Sequence, residues 1–330
     1  MDIIQVITQE LKVEKWQVEA AVALIDEGNT IPFISRYRKE ATGALNDEQL
    51  RNLFERLTYL RNLEDKKNQV LSSIEEQGKL TEELKKQILE AQTLVVVEDL
   101  YRPYRPKRRT RAIIAKEKGL EPLANILKLQ ATDKDMEEEA AAFISEEKEV
   151  KTAKDALAGA MDIVAESISD EADYRIHIRK TTMKSGLLVS SAKKPEESTV
   201  YEMYYEYQEP VSKVAGHRIL AINRGEKEKI EAPEEEILRY LEKQVITKNN
   251  PNTTPVLKAV VEDSYRRLIA PAIEREIRND LTEKAEDGAI KVFKKNLEQL
   301  LMQPPIVGQV VLGWDPAFRT GCKLAVVDAT

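Results

Sequence analysis

Cysteine is almost missing from this sequence. The single one, Cys322, excludes an internal disulfide and fits a reducing compartment. The two histidines, His177 and His217, are far apart, which argues against a structural zinc site. Glycine (12) and proline (13) are sparse and aromatics reach only 5%, a composition that argues against an all-β fold. No stretch approaches the ~18 apolar residues of a membrane span. The start, MDIIQVITQELKVEKW, carries Asp2 and Glu10 and does not read as a signal peptide. The expected location is the cytoplasm, with no membrane partner. Neither Walker A nor GxGxxG occurs, and neither histidine has a Ser or Cys partner in a signature context. The chain therefore reads as a non-enzyme with no cofactor and no metal.

Charge is plentiful at 33% of residues, and the formal net charge is -7. Its distribution is uneven. Residues 133–149 and 231–236 are strongly acidic, whereas Arg102, Arg105, Lys107, Arg108, Arg109 and Arg111 follow one another with no acid among them. Pro103 and Pro106 deny that stretch a helix, and Tyr101 and Tyr104 lie among the cations. Cations with aromatic faces in a non-helical segment suit phosphate contact with base stacking. A second reading is structural. Glu98 and Asp99 precede the stretch and acidic helices follow it, so internal salt bridges could fix its shape instead.

Arg36, Arg38 and Lys39 surround Tyr37 in a second cation–aromatic cluster. Pro32 and Gly43 mark residues 29–45 as a turn-bearing connection. Either the cluster meets phosphate or a partner, or Phe33 and Ile34 anchor it in the core while its cations are solvated.

Helical periodicity dominates the chain. Two short helices are expected over residues 2–27, stopped at Gly28. A long one starts at Asn46, with Gln49 completing a capping box, and ends at Gly78. Residues 93–101 fit either a strand or a buried helical turn. Two short helices broken at Gly119, an acidic helix over 133–149 and further helix over 151–184 follow. Short helix pairs of helix-turn-helix spacing recur without a placeable recognition helix. Residues 185–230 read as turn and linker with a tyrosine-rich helical stripe. From Asn252 to Met302 one apolar pattern spans ~50 residues, or about 75 Å if continuous, kinked or restarted at Pro271 and ended by Pro304 and Pro305.

The final stretch changes class. Two β-type runs, 307–312 and 323–327, flank WDPAFRTG. Two strands cannot close a domain, so the chain is expected to stop just inside one. Asp315 is a weak catalytic candidate, placed as a first metal-binding carboxylate would be, but a two-metal site needs further carboxylates.

Three stretches, NTIPFISRYRKEATGAL, VEDLYRPYRPKRRTRA and GWDPAFRTGCKLAVVD, resemble in order the Tex family of bacterial transcription accessory proteins. The resemblance implies a mainly α, elongated multi-helix scaffold over 1–304, with helix-turn-helix-like units and a long spine helix near its C-terminus. Residues 305–330 would be the first β-hairpin of a truncated YqgF-type RNase H-like domain. It further implies nucleic-acid binding with RNA favoured, mainly through C-terminal domains absent from this chain, and partners in the transcription or translation machinery. The candidate contacts are Arg36, Arg38, Lys39, Arg102, Arg105, Lys107, Arg108, Arg109 and Arg111. A protein–protein scaffold is the alternative, and a metal-dependent nuclease the least favoured. The sequence departs from the family at Ala317, where glycine is usual, and at Trp314, where a smaller aliphatic is usual. If position 317 requires a positive φ, Ala317 would be strained by ~1 kcal/mol.

Overall fold

The computed structural model describes residues 2–192, 196, 198–224, 228–304, 307–317 and 321–328. In chain order the first elements are α1 (Ile3–Leu11), α2 (Lys15–Asp26), α3 (Ile31–Tyr37), α4 (Asp47–Glu76), α5 (Glu82–Glu90), α6 (Leu94–Tyr101), α7 (Arg111–Glu117), α8 (Glu121–Leu129), α9 (Met136–Ala141), α10 (Ala153–Ser169) and α11 (Ala172–Ser185). There follow β1 (Leu187–Ser191), β2 (Glu206–Pro210), α12 (Gly216–Arg224), β3 (Glu228–Glu231), α13 (Glu234–Val245) and α14 (Thr254–Asp263). A π-helical segment (Ser264–Ile269), α15 (Ala270–Leu301), β4 (Val311–Ala317) and β5 (Gly321–Val327) complete the order. The chain forms two compact units, one of Met1–Gly186 with Ala232–Glu274 and the other of Leu187–Glu231 with Arg275–Thr330.

In the first unit α4 is the axis of the N-terminal core. Leu50, Leu53, Leu57, Leu60, Leu63, Val70 and Ile74 recur every three to four residues, forming one buried stripe. Against it pack α1, α2, α3, α5 and α6. The capping box forms as expected: Asn46 accepts from the Gln49 N–H at 2.8 Å and Gln49 accepts from the Asn46 N–H at 3.0 Å. One member of the stripe is a cation. Lys67 is 1% exposed, pairs with Glu64 at 3.0 Å and donates to the Leu89 carbonyl near the end of α5 at 2.9 Å.

The second axis of that unit is α10, which carries α7, α8, α9, α11, α14 and the π segment. Ser264 fixes the π segment by donating to the Ala165 carbonyl of α10 at 2.7 Å. The helical run expected after Asn252 does continue to Leu301, and the π segment explains how it passes Pro271. Ala270 N–H donates five residues back, to the Tyr265 carbonyl. That shift of hydrogen-bond register carries the backbone past a residue lacking an N–H.

The second unit contains a three-stranded antiparallel sheet of order β2-β1-β3, with Leu188 opposite Glu209 and Ile230. Gly216 lets α12 approach α15; a Cβ there would lie 3.1 Å from the Ala285 Cα. The β4–β5 hairpin is antiparallel, with Trp314 opposite Leu324. Its positive φ among the described residues is at Gly321 (+76°), while Ala317 lies within β4. The turn at 318–320 and Pro305 lie outside the described residues.

Three sequence expectations are corrected. Residues 31–37 are helical, not a turn, because Pro32 falls in the first turn of α3, where no N–H is needed. The acidic stretch 133–149 is not one helix. It yields only α9, then a Ser145–Val150 bridge, since Glu146, Glu147 and Glu149 would crowd negative charge onto a helix C-terminus. Residues 187–231 form sheet as well as helix, and the tyrosines from Tyr201 to Tyr207 lie on a 3-10 turn and β2. Residues 93–101, ambiguous by periodicity, are helix, begun by Thr93 accepting from the Val96 N–H at 3.4 Å.

The α4 stripe should dominate stability over its cap. Leu60→Ala should lower the unfolding free energy by about 2–5 kcal/mol. Asn46→Ala should lower it by about 1 kcal/mol. Urea denaturation of both variants checks the order, and an Asn46 effect exceeding that of Leu60 would contradict it.

Candidate nucleic-acid interface

The cationic stretch leaves α6 at Tyr101 and enters α7 at Arg111. Its cations divide into two groups. Lys107 bonds the Asp170 carboxylate just beyond α10 and lies 3.4 Å from Glu166, while Arg102 reaches the other oxygen of Asp170 at 3.4 Å. Both cations are partly buried and turned toward the protein. The remaining four face solvent. Arg105 is 65% exposed with a loose 3.7 Å contact to Glu98, and Arg109 is 71% exposed beside Glu117 at 2.9 Å. Arg108 and Arg111 are exposed. Arg111 acts electrostatically on Asp162, whose pKa burial nevertheless raises.

The two tyrosines of the stretch do not present free faces. Tyr101 hydrogen bonds Ser73 at 2.9 Å, the Tyr104 carbonyl accepts from Gln77 at 3.0 Å, and both rings pack on the N-terminal core. The stacking half of the sequence expectation thus fails at this loop, because a half-buried tyrosine satisfies its own ring by packing inward.

Beneath the loop lies a buried ion pair. Asp99 of α6 is 3% exposed and accepts from Arg175 Nε at 2.6 Å and Arg179 Nη2 at 2.8 Å, both on α11. Arg175 is fully enclosed. Asp99 therefore ties α6 to α11. Glu98 turns the other way, to Lys66 at 2.6 Å.

The second cluster is built on a rigid knuckle. Ile34 enters the core, and Thr42 is buried. Gly43 (φ +61°) and Ala44 (φ +61°) turn the chain sharply, and Gln17 donates to the carbonyls of Thr42 at 3.3 Å and Gly43 at 3.0 Å. A Cβ at Gly43 would lie 2.5 Å from the side-chain ends of Trp16 and Gln17, so glycine favours both this φ and this close approach. The knuckle holds Tyr37 67% exposed, with its ring 5.3 Å from that of Phe33. Arg38 folds back over Phe33 at 5.2 Å and donates to the Tyr37 carbonyl at 3.2 Å. Arg36 and Lys39 are exposed, and among the described residues neither forms an ion pair. Phe33 is half-buried, whereas Ile34 is fully buried in the core.

Asp315 is exposed in β4, opposite Lys323. Among the described residues no group of three potential ligands that could hold a metal ion is found, and no helix is long and apolar enough to cross a membrane. Sequence reasoning missed Asp170, Glu166, Arg175 and Arg179, the groups that set the loop in place. They lie 59 to 80 positions from their partners, beyond any local pattern.

Two outcomes follow from this geometry. Asp99→Ala leaves Arg175 charged and enclosed, so unfolding free energy should fall by about 3–5 kcal/mol in urea titration, and Arg175→Met in the same background should restore part of it. Burial holds the Asp170 carboxyl above its usual 3.8, outweighing Lys107 and Arg102 and aided by Glu166. Protonation of such a group favours the folded state. Its contribution is fully present below the unfolded pKa and is lost as pH rises through the folded one. Asp170→Asn should remove this dependence, shifting the stability difference toward the variant as pH rises above about 4. Thermal melts of both proteins across that range check it; a pH-independent difference would contradict it.

Residues 1–75 match the family model of the Tex-like protein N-terminal domain, and residues 131–293 match that of the Tex central region. Over 99% of its length the chain is 50% identical to an uncharacterised protein, YdcI, of Bacillus subtilis (strain 168), and covers 46% of it. It is 40% identical to the Transcriptional accessory protein Tex of Neisseria gonorrhoeae, covering 45% of that protein with its whole length. It is 31% identical to the human S1 RNA-binding domain-containing protein 1, covering 35% of it. The chain thus spans less than half the length of these relatives. With both family models matched in order, the chain belongs to the Tex family.

Proposed function

We propose that this protein is a transcription accessory protein that binds nucleic acid, RNA in preference to DNA, and that this region is its helical scaffold with secondary cationic contacts. The observation that carries the reading is the division within the 102–111 stretch. Lys107 and Arg102 are tied to Asp170, while Arg105, Arg108, Arg109 and Arg111 are left at the surface. An anchored backbone with outward guanidiniums contacts phosphates at low entropic cost. The relatives named for transcription and for RNA binding support the same reading. No step of it requires catalysis by this chain, and the role is binding. The β4–β5 hairpin is read as the opening of an RNase H-like domain of the YqgF type.

A protein–protein scaffold is the second reading. It is favoured by Ile290, Phe293, Leu300 and Leu301, which are all exposed on α15. Partner retention from nuclease-treated lysate separates it from the first.

For single-stranded RNA each neutralised phosphate contributes about 0.7 to the log–log salt slope. Changing Arg105, Arg108, Arg109 and Arg111 together to Ala should therefore reduce the slope by roughly 3 and weaken binding in low salt. RNA titrations at several salt concentrations measure this, and an unchanged slope would remove the loop as a contact.

A further inference from the structure

We infer that the α3 knuckle is a stacking site for an unpaired base, with Tyr37 as the platform and Arg36 and Lys39 as the flanking phosphate contacts. This rests on the nucleic-acid reading and specifies its substrate as single-stranded RNA.

Tyr37 is unusually exposed for a tyrosine. A tyrosine normally buries its ring and keeps only its hydroxyl wet. Tyr101 and Tyr104 pack their rings on the core, whereas Tyr37 leaves two-thirds of its surface in water. The exposure is enforced by the fold. Ile34 is fully buried one turn earlier in the same short helix, and Thr42 just beyond it is held by the carbonyls of Arg38 (3.2 Å) and Lys39 (3.4 Å). Ala44 accepts a left-handed conformation that an alanine disfavours, and its N–H closes the knuckle on the Lys39 carbonyl at 2.7 Å. The buried Thr42 and the Ala44–Lys39 closure fix the backbone just after α3, and Tyr37 at the end of that helix lies outward.

The charges around that ring match a nucleic-acid strand. Between Ser35 and Leu45 three cations meet one acid, Glu40. Arg38 is occupied on the Phe33 ring, which stiffens the aromatic pair. Arg36 and Lys39 flank Tyr37 in sequence, are exposed, and form no ion pair among the described residues. An exposed π-face with cations beside it is the arrangement that stacks successive bases without regard to sequence while neutralising the backbone. A duplex offers no such base face, because its bases are stacked on one another. The two cationic sites then differ in kind: the 102–111 stretch meets backbone alone, and the knuckle selects single strands.

The test is fluorescence anisotropy of the whole chain with a labelled oligouridine and with a blunt RNA duplex of equal length. Tyr37→Ala should weaken oligouridine binding about tenfold and leave duplex binding unchanged. Tyr37→Phe, which keeps the ring, should restore the wild-type affinity, and circular dichroism melts of all variants control for folding. Arg36→Ala with Lys39→Ala should weaken both ligands and reduce the single-strand salt slope by about 1.4. Oligouridine binding that is unchanged in Tyr37→Ala overturns the proposal, and a protein ligand at this patch would give that result. If the four-arginine variant loses affinity while Tyr37→Ala does not, the loop reading survives and this one fails. If Tyr37→Ala alone loses affinity, the reverse holds. A wild-type chain that binds neither RNA overturns both.

Discussion

The enclosed carboxylate of Asp99 is the constraint from which the rest of the first unit follows. Two guanidiniums converge on it, Arg175 at 2.6 Å and Arg179 at 2.8 Å. Apolar packing alone would let α6 slide or rotate against α11 at small cost, whereas a doubly bonded buried carboxylate permits one arrangement. The consequences run in both directions. On one side α6 lies on α4, the axis of the N-terminal core; on the other, α11 lies on α10, the axis of the second core. The chain enters its cationic stretch three residues after Asp99. The position of that stretch is therefore inherited from a charge pair that the stretch itself does not contain.

Within the stretch, charge is used for two purposes. Lys107 and Arg102 offset only part of the burial penalty on ionised Asp170, whose pKa stays raised. They act as staples between the loop and the end of α10. Arg105, Arg108, Arg109 and Arg111 have no comparable burden, because the acids near them, Glu98 and Glu117, are themselves wet and screened. An exposed pair at 65–71% exposure exchanges readily for a phosphate, while a half-buried one does not. This distinction depends on burial and not on residue type, so six similar cations in a row carry two roles.

That is also where sequence reasoning reached its limit. The stripe of α4, its Asn46–Gln49 cap and its stop at Gly78 were legible, because periodicity and capping act over three or four residues. The continuous run from Thr254 to Leu301 was legible for the same reason, although the π segment that accommodates Pro271 leaves no mark in the apolar pattern. Residues 31–37 were misread because Pro32 signals a turn and a first helical turn alike. Residues 187–231 were misread because Leu188 and Ser190 alternate inward over only five residues, too short a run to stand out. The candidate cations could all be named, yet the sorting among them rests on Asp170 and Glu166, 59 to 68 positions away. No local pattern encodes a pairing of that separation.

An acidic chain is not thereby a poor ligand for RNA. Net charge sets solubility and long-range steering, but at physiological salt a fixed charge is screened beyond about 8 Å. What a phosphate meets is therefore the local charge: three cations to one acid along the knuckle, and at the 102–111 stretch the four outward arginines beside the exposed Glu98 and Glu117. Acids concentrated in 133–149 and 231–236 leave these short segments positive while the total stays at -7. Each cation that remains unpaired, as Arg36, Lys39 and Arg108 do among the described residues, forgoes an available carboxylate. In a protein where acids outnumber bases 58 to 51, such a vacancy is set by the backbone, which aims those three outward from a rigid knuckle and a stapled loop.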